Sequence, residues 1–160
     1  MNFLEQDLEE IIYTGDFEEL EERGIYIPGI LRRQVKIGNY GIADLISIIR
    51  PYYNSDGYRE KGTIIIYELK RKKIDVNAFL QALRYAKGIK RYLEKKGYEY
   101  RYNLEIVLIG KEIDTVSPFC FLPDFIEQDD FHLSMYTYSY DIDGIQFKNE
   151  SGYRLAEEGF

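Results

Sequence analysis

Two acids stand where acids are expensive. Asp44 interrupts Tyr40-Gly-Ile-Ala-Asp-Leu-Ile-Ser-Ile-Ile49, and Glu68 interrupts Thr63-Ile-Ile-Ile-Tyr-Glu-Leu-Lys70. Both stretches read as strands, and a carboxylate in so apolar a setting is costly to bury unless it is paired or holds a metal. Lys70 follows Glu68 by two residues, so both project from one sheet face. If the two strands pair as a hairpin, Asp44 reaches that face too, and two carboxylates and one ammonium converge. Oxygen ligands of this kind suit Mg2+ or Mn2+ rather than zinc, and the backbone carbonyl of Leu69 is a further candidate ligand. Such an ion would polarise a phosphoryl oxygen and lower the pKa of a coordinated water. Lys70 would orient that water or stabilise the developing phosphorane charge. The competing reading is structural: a Glu68–Lys70 ion pair at a strand end, with Asp44 as a turn or cap residue. A lone Glu-x-Lys is a weak signal, so the neighbouring elements must decide.

The next element is a helix over about 76–97, capped by Asp75 or Asn77 and ended by Gly97. Its apolar stripe is Val76, Phe79, Leu80, Leu83, Ala86, Ile89 and Leu93. Gln81 and Tyr85, four apart, share another face, with Ala78 and Gly88 expected beside them. Arg84, Lys87, Arg91 and Lys95 follow at helical spacing. Such a helix buries Phe79 and Leu83, aims Gln81 and Tyr85 at the acids, and offers cations to phosphates.

Charge is distributed to match. The net charge is −7, yet residues 59–111 hold 14 Lys+Arg against 6 Asp+Glu. Residues 1–58 hold 5 against 11, and residues 112–160 hold 2 against 11. A cationic middle third on an acidic body is the footprint of a local phosphate-binding surface; a solvated helix face is the alternative. One cysteine excludes a disulfide framework and a thiolate zinc site. The acidic start, Met1 to Asp7, is unlike a signal peptide, and no apolar run approaches ~20 residues. A cytoplasmic chain is expected, of bacterial or phage type and without membrane contact.

At 160 residues the chain reads as a single domain, with a core over about 4–110 and an extension of loop and late strands over 111–160. Residues 3–13 and 14–23 read as helices, the second starting at Thr14 or Asp16. Strand character begins over 30–37, and residues 51–62 form a long hairpin loop. Residues 103–110 return as a strand, so strand–helix–strand implies a parallel pair. Residues 133–140 and 144–147 read as late strands joined through Asp143-Gly144. Tyr136, Tyr138 and Tyr140 would then alternate on an edge strand. His132 reads as a loop residue, Cys120 as a small core hydrophobe, and Asp141-Ile-Asp143 as a hairpin turn rather than a calcium loop.

Asp44, Glu68-Leu69-Lys70 and Gln81-Ala-Leu-Arg-Tyr85 together resemble the PD-(D/E)XK nuclease superfamily with its RecB-type Q-x-x-x-Y motif. More narrowly, Glu5-Gln-Asp-Leu-Glu9, Arg33-Gln-Val35 and Ile66-Tyr-Glu-Leu-Lys-Arg71 are similar to NucS-like endonuclease catalytic domains, over roughly residues 4–110. The resemblance implies an α/β (α+β) fold with a restriction-endonuclease-like core, a central mixed β-sheet flanked by helices. It implies Asp44 and Glu68 as metal ligands, with Leu69 through its carbonyl, and Lys70 as the catalytic lysine. Glu9 matches the family's N-terminal acid, with Glu5 and Glu10 as competing choices. Gln81 would orient a water or ligand, and Tyr85 would brace the site. Departures are Gly-Ile-Ala before Asp44 in place of the nominal proline, a long Asp44–Glu68 loop, and the acidic C-terminal stretch.

The expected function is a Mg2+- or Mn2+-dependent DNA endonuclease acting through a metal-activated water, with a structure or branch preference left open. Arg33, Arg71, Lys72, Arg84, Lys87 and Arg91 are the candidate nucleic-acid contacts. DNA is the expected partner, RNA the alternative, and a homodimer would bring two sites to two strands. The alternative class is a nuclease-fold structural or nucleic-acid-binding protein, such as a phage or mobile-element component, without catalysis.

Overall fold

The computed structural model describes residues 5–114 and 131–150. Cys120 lies outside the described residues, as do Phe3 and Leu4 of the first predicted helix. Two short helices, α1 (Glu5–Thr14) and α2 (Phe17–Glu22), lead into strand β1 (Ile30–Lys36), then a single 3-10 turn at Gly38–Tyr40 and β2 (Ile42–Ile49). A small ribbon, β3 (Tyr52–Tyr53) and β4 (Arg59–Glu60), tips the predicted hairpin loop before β5 (Gly62–Leu69). Then come β6 (Lys73–Ile74), the long helix α3 (Val76–Lys96), β7 (Tyr102–Gly110), β8 (Glu112–Ile113), β9 (Phe131–Asp141) and β10 (Gly144–Asn149).

The main sheet is mixed and six-stranded, in the order β1-β2-β5-β7-β9-β10. The first two pairs are antiparallel; β5 runs parallel to β7, and β7 to β9. The β5–α3–β7 crossover is the parallel unit that the alternation of strand and helix requires. Residues 131–149 continue this sheet. The architecture is the α+β one expected, a central mixed sheet with helices on both faces.

Two apolar layers hold it. Beneath α3, Phe79, Ala82, Ala86 and Ile89 meet Ile46, Ile66, Ile106 and Leu108. On the other face, Leu8, Ile12 and Leu20 meet Leu45, Ile65, Tyr67, Leu69 and Ile109. Strands buried on both faces explain the unbroken Ile/Leu/Val runs of β5 and β7. Asp75 caps α3 by accepting from the Ala78 N–H at 3.0 Å, and Gly97 ends it in the left-handed region at φ +73°. The free edge of β10 is closed by the chain after α2: the Phe147 N–H donates to the Arg23 carbonyl at 2.6 Å, and the Arg23 guanidinium bonds the Ile145 carbonyl.

Several expectations are corrected. Leu80 is 52% exposed and lies off the helix stripe, because the sheet is met by Phe79, Ala82 and Ala86. Ala78 and Gly88 are buried rather than set on a polar face. Thr14 does not start α2; its hydroxyl bonds back to the Glu10 carbonyl within α1. His132 lies in β9, opposite Glu105, and not in a loop. The alternating tyrosines also sit on β9, an interior strand; β10 forms the edge. The Asp141–Gly144 turn is as expected, with the Asp143 N–H donating to the Asp141 carboxylate and Gly144 at φ +101°.

Gly88 is required by a close approach. A Cβ there would stand 2.7 Å from both Ile37 and Tyr40. Gly88→Ala is therefore expected to lower stability by ~1–3 kcal/mol through overpacking, although Ala is the better helix former by about 1 kcal/mol. Thermal or urea unfolding of the variant checks the sign.

Candidate active site

Antiparallel pairing of β2 with β5 runs as far as Leu45 opposite Tyr67, and Asp44 and Glu68 are the next residues beyond that last pair. Glu68 is 4% exposed. The Lys70 ammonium stands 3.5 Å from Glu68 Oε1, as the two-residue spacing requires. Glu68 Oε2 is buried and has no hydrogen-bond partner among the described residues, which is uncommon for a buried carboxylate oxygen. Asp44 is half-buried, with the Leu69 backbone N–H acting on its carboxylate. In an extended strand the C=O of a residue points to the same side as its N–H, so the Leu69 carbonyl shares that edge.

Electrostatics follow from burial. The Glu68 carboxyl is pushed up to about 7, first by desolvation and then by the Asp44 charge, against the pull of Lys70. Asp44 is likewise raised, by burial and then by Glu9, with the Leu69 N–H and Lys70 opposing. Two like charges at one strand end are only partly compensated by a single ammonium.

Helices close the site from both faces. On α3, the Gln81 amide donates to the Tyr85 hydroxyl at 2.6 Å; Gln81 itself is exposed and is tied to the site through Tyr85, not aimed at the acids as expected. Tyr85 is buried, and its hydroxyl is held protonated by burial and by the fields of Glu68 and Asp44. Its ring is seated against Gly41, where a Cβ would come within 2.9 Å and where φ is +119°. On α1, Glu9 is 6% exposed and accepts from the Gln34 amide at 2.7 Å, with Arg33 at 3.6 Å. Glu5 lies at the rim, accepting from the Arg71 N–H at 3.3 Å. Glu10 is exposed and turned to Arg33 at 2.9 Å. Of the three candidate acids of α1, Glu9 is the buried one.

The cations divide into two groups. Arg33 is engaged by Glu9 and Glu10 and lies over the Tyr13 ring at 4.8 Å. Arg71 and Lys72 line an open groove of about 540 Å³ with Lys70, Lys73, Glu5 and Asp75. Arg84 and Lys87 are exposed on α3. Arg91 lies over Tyr40 at 5.9 Å and joins Arg32, Lys36 and Lys95 around a groove of about 600 Å³ with an apolar floor.

Gln34 is the residue whose placement sequence reasoning missed. It alone among the described non-glycine residues has positive φ, +50°, a conformation costing roughly 1 kcal/mol or more. Glycine or asparagine would have signalled it; glutamine carries no such mark.

Among the described residues, no three His, Cys, Asp or Glu side chains form a metal cage as they stand. The Asp44–Glu68 pair still fits a hard cation: Mg2+ commonly takes one or two carboxylates and keeps its waters, and Glu68 Oε2 is an oxygen without a partner.

The arrangement defines a mixed-sheet α+β domain with two carboxylates and a lysine at one end of its sheet. No family model matches the chain. It is 27% identical over 129 residues to Endonuclease NucS of Pyrococcus horikoshii, covering 62% of this chain and 46% of that protein. It is 26% identical over 126 residues to Endonuclease NucS of Pyrococcus furiosus, covering 62% and 43%. The chain thus spans less than half the length of the curated relatives it matches. Two solved structures are similar: a repair endonuclease from Pyrococcus abyssi (21% identity, 83% of this chain and 46% of that one, TM-score 0.47) and an EndoMS–dsDNA2 complex (18%, 86% and 46%, TM-score 0.47).

The raised Glu68 carboxyl sets a pH dependence. The folded state holds this proton more tightly than the unfolded chain, so its stabilising contribution is complete below the ordinary value of 4.5 and is lost as pH rises through about 7. In EDTA, Glu68→Gln is expected to melt higher than the parent at pH 8, with the difference shrinking towards pH 5. Circular-dichroism melts across that range check this; a pH-independent difference contradicts it.

Proposed function

We propose that this chain carries a metal-dependent DNA endonuclease site that hydrolyses phosphodiester bonds. The observation that carries the reading is the buried Glu68 Oε2, without a hydrogen-bond partner among the described residues, beside Lys70 and in the field of Asp44. The stretch matched by the NucS endonucleases, 62% of this chain, supports it. A structural ion-pair network would be expected to satisfy that oxygen, since a buried lone carboxylate oxygen costs about 1–3 kcal/mol or more.

Asp44, Glu68 and the Leu69 carbonyl are the groups that would hold Mg2+ or Mn2+. The ion, when bound, supplies positive charge that polarises a phosphoryl oxygen and makes water more acidic. Lys70 then has two tasks. It balances Glu68 in the resting site, and its remaining donors reach towards the attacking water or the oxygens on which charge develops. The protonated Tyr85 hydroxyl, steadied by Gln81, offers a donor on the α3 side. Glu9 adds negative charge from the α1 side.

The exposed cations on α3, with Arg71 and Lys72 on the other side of the site, are candidates for the phosphates flanking the scissile one. Arg33, already held by two carboxylates, is more a part of the acidic wall than a free phosphate contact.

Asp44→Ala, Glu68→Ala and Lys70→Ala are each expected to reduce divalent-dependent DNA cleavage by ~100-fold or more. Asp44→Asn should weaken calorimetric Mn2+ binding. A folded parent protein that leaves single-stranded, duplex, flapped and mismatched DNA intact with either ion overturns the proposal.

Arg84→Ala and Lys87→Ala together are expected to weaken DNA binding across sequences and to flatten its salt dependence by about one to two in log–log slope. Binding titrations of the uncleaved complex in EDTA at several salt concentrations measure both.

A further inference from the structure

We propose that Gln34 is a positioning residue of this site: from a left-handed kink in an edge strand it holds the Glu9 carboxylate of α1 towards the Asp44–Glu68 pocket. The inference rests on the metal-site reading above and extends it to a third acid and the residue that places it.

Three observations converge on Gln34. The first is register. Arg33 pairs with Leu45 and Val35 with Ala43, so Gln34 falls opposite Asp44, at the one interior position of β1 where no pairing is made. The second is the change of face. In a regular strand, residues four apart lie on the same side. Here Leu31 packs with the layer beneath α1 and α2, whereas Val35 packs with the layer beneath α3. The strand rolls over between them, and Gln34, at φ +50°, is where it does so. The partner strand inverts at the same level, with Ala43 in the α3 layer and Leu45 in the other.

The third observation is the bond that the kink makes. The Gln34 amide reaches α1 and donates to Glu9 Oε1 at 2.7 Å. Arg33 competes for the same acid, standing 3.6 Å from Glu9 Oε2 and 2.9 Å from Glu10. The two donors share the carboxylate: Arg33 pairs with Oε2, and the amide holds Oε1 with a neutral donor in place of a second contact to a cation. Among the charged groups that act on Asp44, Glu9 has the largest effect, ahead of Lys70. A strained backbone at this point persists because the bond and both strand pairings fix it.

The test uses Mn2+ alone as the probe. Gln34→Gly keeps the left-handed backbone without strain and removes the amide; Gln34→Asn tolerates that backbone but is too short to reach Glu9. Both are expected to stay folded in EDTA, the relief of backbone strain being offset by the lost bond to buried Glu9, yet to bind Mn2+ about tenfold or more weakly by calorimetry. Glu9→Gln should lose a similar factor, and adding Gln34→Gly to it should cost nothing further. A purely structural Gln34 would give parental Mn2+ affinity in both variants, and that result overturns the proposal, as does an additive double variant. If the parent itself fails to bind Mn2+, the metal-site reading falls and takes this inference with it. A parent that binds beside unaffected Gln34 variants sinks only the role of Gln34.

Discussion

The antiparallel register between β2 and β5 is the constraint on which the site depends. It leaves Asp44 and Glu68 just beyond its last pair, at the end of an apolar sheet, where burial and the Asp44 charge raise the proton affinity of Glu68. One Lys70 ammonium and one Leu69 N–H offset part of that cost. What is left over, an unpartnered carboxylate oxygen inside the protein, is hard to justify for a fold built only for stability. It is the feature on which the proposed metal site rests.

Packing on the two faces of the sheet gives that strand end its shape. α3 delivers Tyr85 and Gln81 because Phe79, Ala82 and Ala86 seat the helix on Ile46, Ile66 and Ile106. α1 delivers Glu9 because Leu8 and Ile12 seat it on the opposite layer. The acids, the lysine and the tyrosine therefore come from elements whose positions are set by apolar contacts, not by the polar groups themselves. A site supported in this way is preorganised, and its geometry does not depend on forming any one weak polar contact.

Gln34 shows the opposite arrangement. There the backbone is bent against its preference, the alternation of an edge strand is broken, and a buried acid is shared between a neutral amide and a neighbouring guanidinium. Arg33, by sequence a natural phosphate contact, is drawn into that acidic wall. Arg84 and Lys87 of α3 stay exposed, and Arg71 and Lys72 line the open groove after β5. The chain's negative total charge and its cationic middle are thus compatible: the acids gather at the pocket and elsewhere on the body, and the bases rim it.

Much of this was legible in the residues. The hairpin of two apolar strands, the shared face of Glu68 and Lys70, the Asp75 cap, the parallel crossover and the Gln81–Tyr85 pair all follow from periods of two and 3.6 and from turn chemistry, which are local properties. The choice among Glu5, Glu9 and Glu10 was not, because three acids within two turns of one helix are told apart only by what lies across from them. Leu80 and His132 were misread for the same reason: the width of a buried stripe and the reach of a strand are set by neighbouring elements. The kink at Gln34 leaves no trace in composition, since glutamine has no preference for a left-handed backbone. By itself the sequence determined which elements form and which chemical groups they carry. Only the tertiary structure decided which of those groups are buried, left unpartnered or neutralised, because desolvation and charge pairing depend on distances between segments far apart along the chain.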